Sequence, residues 1–565
     1  MGKKNKAPHY LSRTAVYVSL LTLGVSHLLA GSARAQDVPQ NRYIVFFTDK
    51  VATPFSLDQP EAFLSEASLE RREQQNIALD STDLPVDPRY VGELAAAGAE
   101  VYYTSRWLNA AMVAGPPEDS SAYQQLAFVS RVELIKPTRA GSRKKRGSSY
   151  DEAVPTPARI AEGKEQLLNT EQNEMLGIDE MHQAGYTGKG IAVAVFDGGF
   201  KGVDTVSFFR HLYENNQMIP GYDFVGNSPN VYRYGQHGTE ALSCIAAYQP
   251  GVLEAGAYDA QVMLCVTEES SSEYRVEEYN WLFAAERADS VGIDLISTSL
   301  GYTTFDDPAM NYAYEDLDGN TAVITRAVNM ATSKGMLCVI SAGNEGSGRW
   351  RHVSPPADAA NALSVGAVSA SGDRVSFSSV GPTADERIKP DVSALGLQTV
   401  VVDASGNVTR SNGTSFSAPL ISGLTAGVWE AFPDATNLEV MEKIRGAGHL
   451  ALTPNNELGY GIPNFSATID PILATTEEPR ASSHYQVFPN PIENGSLSIK
   501  PHAPASPGAV DVYVYSSTGQ LVIQEHFLSS TDPTLTLDTS SLGQGIYILH
   551  ILSPTLSDTV KVVKF

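Results

Sequence analysis

Between about residue 175 and residue 470, short apolar runs with strand character alternate with helical patterns: GIAVAVFDGG, HGTEALSCIAAY, AQVMLCVTEE, EEYNWLFAAERADS, IDLISTSLG, TAVITRAVNMATSKG, MLCVISAGN and ALSVGAVSA. The strand-like runs are apolar along most of their length, as strands covered on both faces must be. Such strands, separated by helices, point to a mostly parallel sheet with helices packed on it. The expectation is one large α/β domain.

The flanks read differently. Lys3, Lys4, Lys6 and Arg13 precede a mostly apolar run from Ala15 to Ala30 and then Ala33-Arg34-Ala35, the small-x-small pattern of a signal-peptidase site. The run is short for a bilayer span and is broken by Ser19, Thr22, Ser26 and His27, so residues 1–35 read as a cleaved export signal rather than an anchor. Next come RYIVFFTDK (42–50) with strand character, DPRYVGELAAAG (87–98) with helical character, and the strand-like WLNAAMVAG and FVSRVELIKP. These make a small α+β unit within residues 36–150. It ends in a polar linker carrying four consecutive basic residues, Arg143 to Arg146, which reads either as a solvated linker or as a protease-sensitive processing site. After TTEEPRASS, helical periodicity gives way to short alternating strands and turns, as expected of a small all-β sandwich over 476–565. The α/β domain then occupies 151–475.

At 565 residues the chain is long enough for several cores, and its formal charge of -24 argues against a nucleic-acid partner. Its three cysteines, Cys244, Cys265 and Cys338, each sit inside an apolar run and read as small core residues rather than a disulfide framework. EDLDGNTA (315–322) alternates acids with a glycine but completes no calcium-loop spacing, and reads as an acidic turn. No metal or other cofactor is expected.

In an open parallel sheet, functional groups collect where strands end. Asp197 closes IAVAVFDGGF, and could be a turn aspartate or a catalytic one. His237 opens the helical pattern HGTEALSCIA, where imidazole can exchange a proton near neutral pH. Asn344 follows a strand in MLCVISAGNEG; it could be a turn residue or donate its amide to an oxyanion. Ser415 in SNGTSFSAPL is either a helix cap or a nucleophile at a helix N-terminus, whose free N–H groups favour developing negative charge. Each has an ordinary structural alternative, but the order Asp, His, Asn, Ser, each beside or near a glycine at a loop, is hard to reach by chance.

Residues 185–465 resemble the subtilisin-like serine peptidases. VAVFDGGF resembles their aspartate motif, HGTEALSCIA the histidine motif, SAGNEG the oxyanion-asparagine motif, and NGTSFSAPLISG, the most specific, the serine motif. The resemblance implies Ser415 as nucleophile, His237 as general base and then acid, Asp197 as the residue that orients His237, and Asn344 as an oxyanion donor beside the Ser415 N–H. It further implies substrate contacts by Ser299, Leu300 and Gly301, pairing their backbone with an extended peptide, and by Ala342 and Gly343. Gly198 departs from the Ser or Thr that many relatives carry after the aspartate. Residues 40–137 resemble subtilase propeptides, which act as folding helpers and intramolecular inhibitors. VFPNPIENGSLSI, VYSSTGQLV, LGQGIYILHI and KVVKF resemble the C-terminal sorting domain of type IX secretion. The implied protein is a secreted or surface-attached endopeptidase acting on proteins or peptides, with the secretion machinery as a partner. The competing readings are a catalytically silent surface-binding protein on the same fold, and an ester hydrolase, which the chain order disfavours.

Overall fold

A computed structural model describes residues 40–138, 167–469 and, in the C-terminal block, 485–492, 495–501, 509–516, 521–527, 534–553 and 557–564. The anticipated export signal and the basic run Arg143–Arg146 lie outside the described residues.

The N-terminal block is a four-stranded antiparallel sheet of β1 (Asn41–Phe47), β2 (Glu100–Ser105), β3 (Ala110–Gly115) and β4 (Val129–Lys136), in the order β2-β3-β1-β4. The continuous apolar run of β1 exists because both faces are covered. Tyr43, Val45 and Phe47 face inward with Leu94 and Phe128, while Ile44 and Phe46 join a cluster that includes Phe224, Tyr279 and Phe283 of the next block. The helix read at 87–98 is α2 (Pro88–Ala96), N-capped by Asp87. Two elements go beyond the sequence-based expectation: the strand β2 and the helix α1 (Glu66–Gln74), whose sequence EASLERREQ has no apolar stripe. Helix α1 is held instead by buried charge, described below.

The middle block has the anticipated parallel sheet, with seven strands: β5 (Ala192–Asp197), β6 (Met218–Asp223), β7 (Gln261–Val266), β8 (Leu295–Thr298), β9 (Leu337–Ser341), β10 (Leu363–Val368) and β11 (Val392–Leu395). Their order is β11-β10-β9-β8-β5-β7-β6, and every pair is parallel. The chain passes from β5 to the edge strand β6, inserts β7 between them, and then adds β8 to β11 in turn on the other side of β5. This reversal between β5 and β8 is a topological switch point, where a crevice opens at the carboxyl ends of the strands. Helices α3 (His237–Ala246), α4 (Val276–Val291) and α5 (Thr414–Ala431) pack on the sheet. Helix α5 is buried from Thr414 through Trp429, which its nearly all-apolar or small sequence permits.

The C-terminal block is all-β, as its alternation predicts. Strands Tyr485–Phe488, Ser496–Pro501 and Leu535–Asp538 form one antiparallel sheet, and Val510–Ser516, Leu521–Phe527, Gly545–Leu552 and Ser557–Lys564 another. Leu497, Ile499, Val512, Val514, Leu549 and Ile551 from the two sheets share one core.

All three cysteines are buried and free, and burial pushes the thiols of Cys265 and Cys338 up to about 12. Asp318, in the acidic turn, accepts the N–H groups of Asn320 and Thr321 and the Thr321 hydroxyl, shaping the chain ahead of the helix Val323–Ser333.

Candidate active site

Asp197 is the last residue of β5 and has no exposed surface. Its two carboxylate oxygens stand 3.0 and 2.9 Å from Nδ1 of His237, the first residue of α3, and one of them accepts the Gly198 N–H at 2.7 Å. Burial pushes the Asp197 carboxyl above its ordinary value, while the charge and hydrogen bond of His237 pull against it. Facing a carboxylate, Nδ1 carries the ring hydrogen, which leaves the lone pair on Nε2 to act as a base. The approach of α3 to β5 requires Gly238. A Cβ there would meet the Gly199 carbonyl oxygen at 2.6 Å and Asp197 Cβ at 2.9 Å.

Ser415 is the second residue of α5 and is 8% exposed. Gly413, the N-cap, has φ 144° and ψ 153°, a conformation open only to glycine, and donates its N–H to the Gly396 carbonyl at 2.8 Å. The helix begins abruptly as a result, and the N–H of Ser415 lies in its first turn, where no helical carbonyl is available to it. The ring of Phe416 lies 5.7 Å from the imidazole of His237, centroid to centroid, so the N-terminal ends of α3 and α5 meet.

Asn344 follows β9 and reaches the same place. Its Oδ1 accepts the Thr414 N–H at 3.0 Å and the Thr414 hydroxyl at 3.1 Å. An acceptor role for Oδ1 fixes the amide's orientation and leaves Nδ2 free to donate elsewhere; Nδ2 stands 3.6 Å from where a Gly413 Cβ would be. The Thr414 hydroxyl also accepts the Gly343 N–H at 3.2 Å. Nothing in the sequence singles out Thr414 beyond its place in the NGTSFSAPL run. Its role rests on contacts between loops far apart in the chain.

Comparison with known proteins finds a match within each of the three blocks. Residues 188–461 match the family model of the subtilase family, peptidase S8. Residues 42–150 match the peptidase S8 propeptide domain of Bacteroidota, and 486–564 a secretion system C-terminal sorting domain. Subtilisin of Bacillus pumilus is 31% identical over 269 residues, which are 47% of this chain and 86% of that protein. The chain belongs to the subtilase family. Subtilisin NAT of Bacillus subtilis subsp. natto is 31% identical over 286 residues, 50% of this chain and 65% of that protein. Among solved structures, MycP1 from Mycobacterium smegmatis aligns over 57% of this chain and 89% of its own, at 22% identity and a TM-score of 0.43.

In this subtilase the segment anticipated to contact substrate divides into two kinds of residue. Ser299, Leu300 and Gly301 leave the end of β8 beside Asp197, with Gly301 exposed. The Ser299 hydroxyl, however, points inward and donates to the Ser415 carbonyl at 2.8 Å. Ala342 and Gly343 have their backbone groups engaged within the fold: Ala342 N–H donates to Val365 and its carbonyl accepts Ser354 N–H, while the Gly343 carbonyl accepts Ser379 N–H. Ala342 is fully buried, so of the two only the half-buried Gly343 offers surface, and neither offers a free backbone polar group.

A second set of buried charges lies between the propeptide-like block and α4. Asp289 accepts Arg71 at 2.5 Å and Arg72 at 2.7 Å, and Arg106 bonds its other oxygen. Arg72 also bonds Asp83 at 2.7 Å, and Lys334 bonds Asp83 at 3.1 Å. Burial alone would raise the Asp289 carboxyl, but Arg72, Arg106 and Arg71 override it and hold it below the usual carboxylate range. Arg71 and Arg72 give α1 its docking face, which is why a helix without an apolar stripe is stable here.

Proposed function

We propose that the chain is an exported serine endopeptidase that hydrolyses peptide bonds of proteins through an acyl-enzyme on Ser415. The observation that carries this reading is the pairing of His237 Nδ1 with the fully buried Asp197 carboxylate, at the point where the N-terminal end of α5 delivers Ser415. In the proposed cycle, Nε2 of His237 takes the Ser415 hydroxyl proton as Oγ attacks the scissile carbonyl. The Asn344 amide and the Ser415 N–H donate to the resulting oxyanion. His237 returns the proton to the leaving nitrogen as the C–N bond breaks, and water then repeats the sequence on the acyl ester. Asp197 keeps the imidazole in the tautomer this requires.

The propeptide-like block, residues 36–150, serves as the intramolecular inhibitor, and residues 476–565 as the sorting signal read by a type IX secretion machinery. The mature protein is then secreted or attached to the cell surface. The propeptide and sorting-domain matches support both assignments. A fluorophosphonate probe should label the mature protein, and Ser415→Ala should abolish both labelling and casein cleavage. Undiminished activity in that variant would refute the assignment, and a folded mature protein that takes no label would leave a silent binding protein on the subtilase fold.

A further inference from the structure

Three carboxylates outside the proposed catalytic set converge at the carboxyl edge of the sheet. Glu268 and Glu273, in the loop after β7, and Glu277, in the first turn of α4, bring oxygens within 4.8 Å of one another. Glu277 is fully buried and the other two are partly buried. Three like charges at this spacing repel, and the repulsion is strongest where one of them is out of water.

Tyr302 gives a second, independent sign. It is 1% exposed, and its hydroxyl has no hydrogen-bond partner among the described residues. Burial and then the charges of Glu277, Glu268 and Glu273 push its ionisation far above the ordinary range, which puts the phenol within electrostatic reach of these carboxylates. Two more buried oxygens nearby lack a partner, Oγ1 of Thr267 and Oδ1 of Asn280. Asn280 lies one helical turn after Glu277, and its Nδ2 donates to the Thr267 carbonyl at 3.2 Å, which keeps Oδ1 as the unmatched atom. The cluster brings together oxygen donors that a positively charged ligand would bridge.

We propose that Glu268, Glu273 and Glu277, with the Tyr302 hydroxyl, bind a calcium-sized divalent cation beside the candidate active site. A donor set made only of oxygen suits a hard cation rather than zinc or copper. Calcium accepts irregular sets of carboxylate oxygens, whereas magnesium dehydrates reluctantly and keeps several waters, so a partly buried donor set supplied by the protein suits calcium. With Glu277 and Tyr302 sealed from solvent, a resident ion fits the cluster better than a basic side chain of a passing peptide. The ion would tie the loop after β7 to the Ser299–Tyr302 edge. It would also offset the charge of Glu268, whose carboxylate oxygen lies 3.5 Å from where a Gly198 Cβ would stand and which raises the Asp197 carboxyl.

The test needs no turnover, so its failure is separate from any failure of the peptidase assignment. The full chain carrying Ser415→Ala, stripped with a chelator, is titrated with calcium by calorimetry, alone and with Glu268→Gln and Glu273→Gln added. The expected result is one fewer calcium ion in the triple variant, or one site weakened by about tenfold or more. Both glutamines replace partly exposed residues, and circular dichroism in calcium-free buffer checks that the fold is kept; the single Glu273→Gln exchange serves if it is not. No calcium uptake by the parent, or the same number of sites at the same affinities in parent and variant, would overturn the proposal. So would uptake of a lysine or arginine peptide in place of the ion.

Discussion

The hydroxyl of Ser299 donates to the main-chain carbonyl of Ser415 at 2.8 Å, and Pro419 is the reason that carbonyl is available. In a regular helix the N–H of residue 419 would bond the carbonyl of residue 415, but proline has none. Ser299, from the end of β8, supplies the missing donor and so ties the candidate nucleophile's backbone to the sheet. Ser299→Ala should leave that buried carbonyl unmatched, at a cost of about 1–3 kcal/mol. A lower urea midpoint with an unchanged slope, together with reduced turnover, is the expected outcome; wild-type stability would show that the bond carries nothing.

Thr414 should act on turnover through Asn344. Asn344→Ala removes the proposed oxyanion donor and is expected to lower kcat about 100- to 1,000-fold with little change in KM. Thr414→Val keeps the shape but loses the hydroxyl shared by Asn344 and Gly343. A smaller loss, again in kcat rather than KM, is expected in steady-state assays on a peptide substrate.

Stability should fall between mildly acidic and mildly alkaline pH because of Glu278. Its carboxyl is fully buried, with both oxygens 2.9 Å from the Tyr312 hydroxyl, and burial raises it from 4.5 to about 7. A raised carboxyl favours the fold while it is protonated in the native state, and that advantage is lost as pH climbs from the unfolded value through about 7. The full difference corresponds to about 3 kcal/mol. Urea midpoints measured at pH 5 and pH 8 should differ in the parent and converge in Glu278→Gln.

The Asp289 cluster should govern how firmly the propeptide-like block is held. Asp289→Ala leaves Arg71 and Arg106 buried without their carboxylate, and removing one partner from such a pair costs about 3–5 kcal/mol. In the full chain carrying Ser415→Ala, trypsin should then cut the N-terminal block markedly faster than in the parent. Equal digestion rates would assign the hold to the apolar face of β1 instead. Because the native Asp289 carboxyl is depressed, its contribution is present at neutral pH and fades as pH falls below the ordinary carboxylate range.

Much of this protein is legible in one dimension. Apolar runs such as IAVAVF and LCVIS could only be strands covered on both faces, so the parallel sheet and the order of its elements follow from local pattern. Asp197, His237, Asn344 and Ser415 stand out because each lies where a strand ends or a helix starts. Other features depended on distant contacts and left no periodic trace. EASLERREQ carries no apolar periodicity, yet it is a docked helix because Asp289, more than 200 residues away, receives Arg71 and Arg72. Glu277, Glu278, Glu286 and Asp289 of α4 are all buried, because the sheet lies on one side of that helix and β1 to β4 pack on the other.

Sequence alone therefore determined the apolar strands and intervening helices of the parallel-sheet block and which residues carry reactive groups, since both depend on side-chain chemistry and short-range spacing. Tertiary structure alone decided where charge is buried, which way the Ser299 hydroxyl and the Asn344 amide point, and which carboxylates meet. Those outcomes are set by Coulomb interactions and hydrogen bonds between segments that only the folded chain brings within reach.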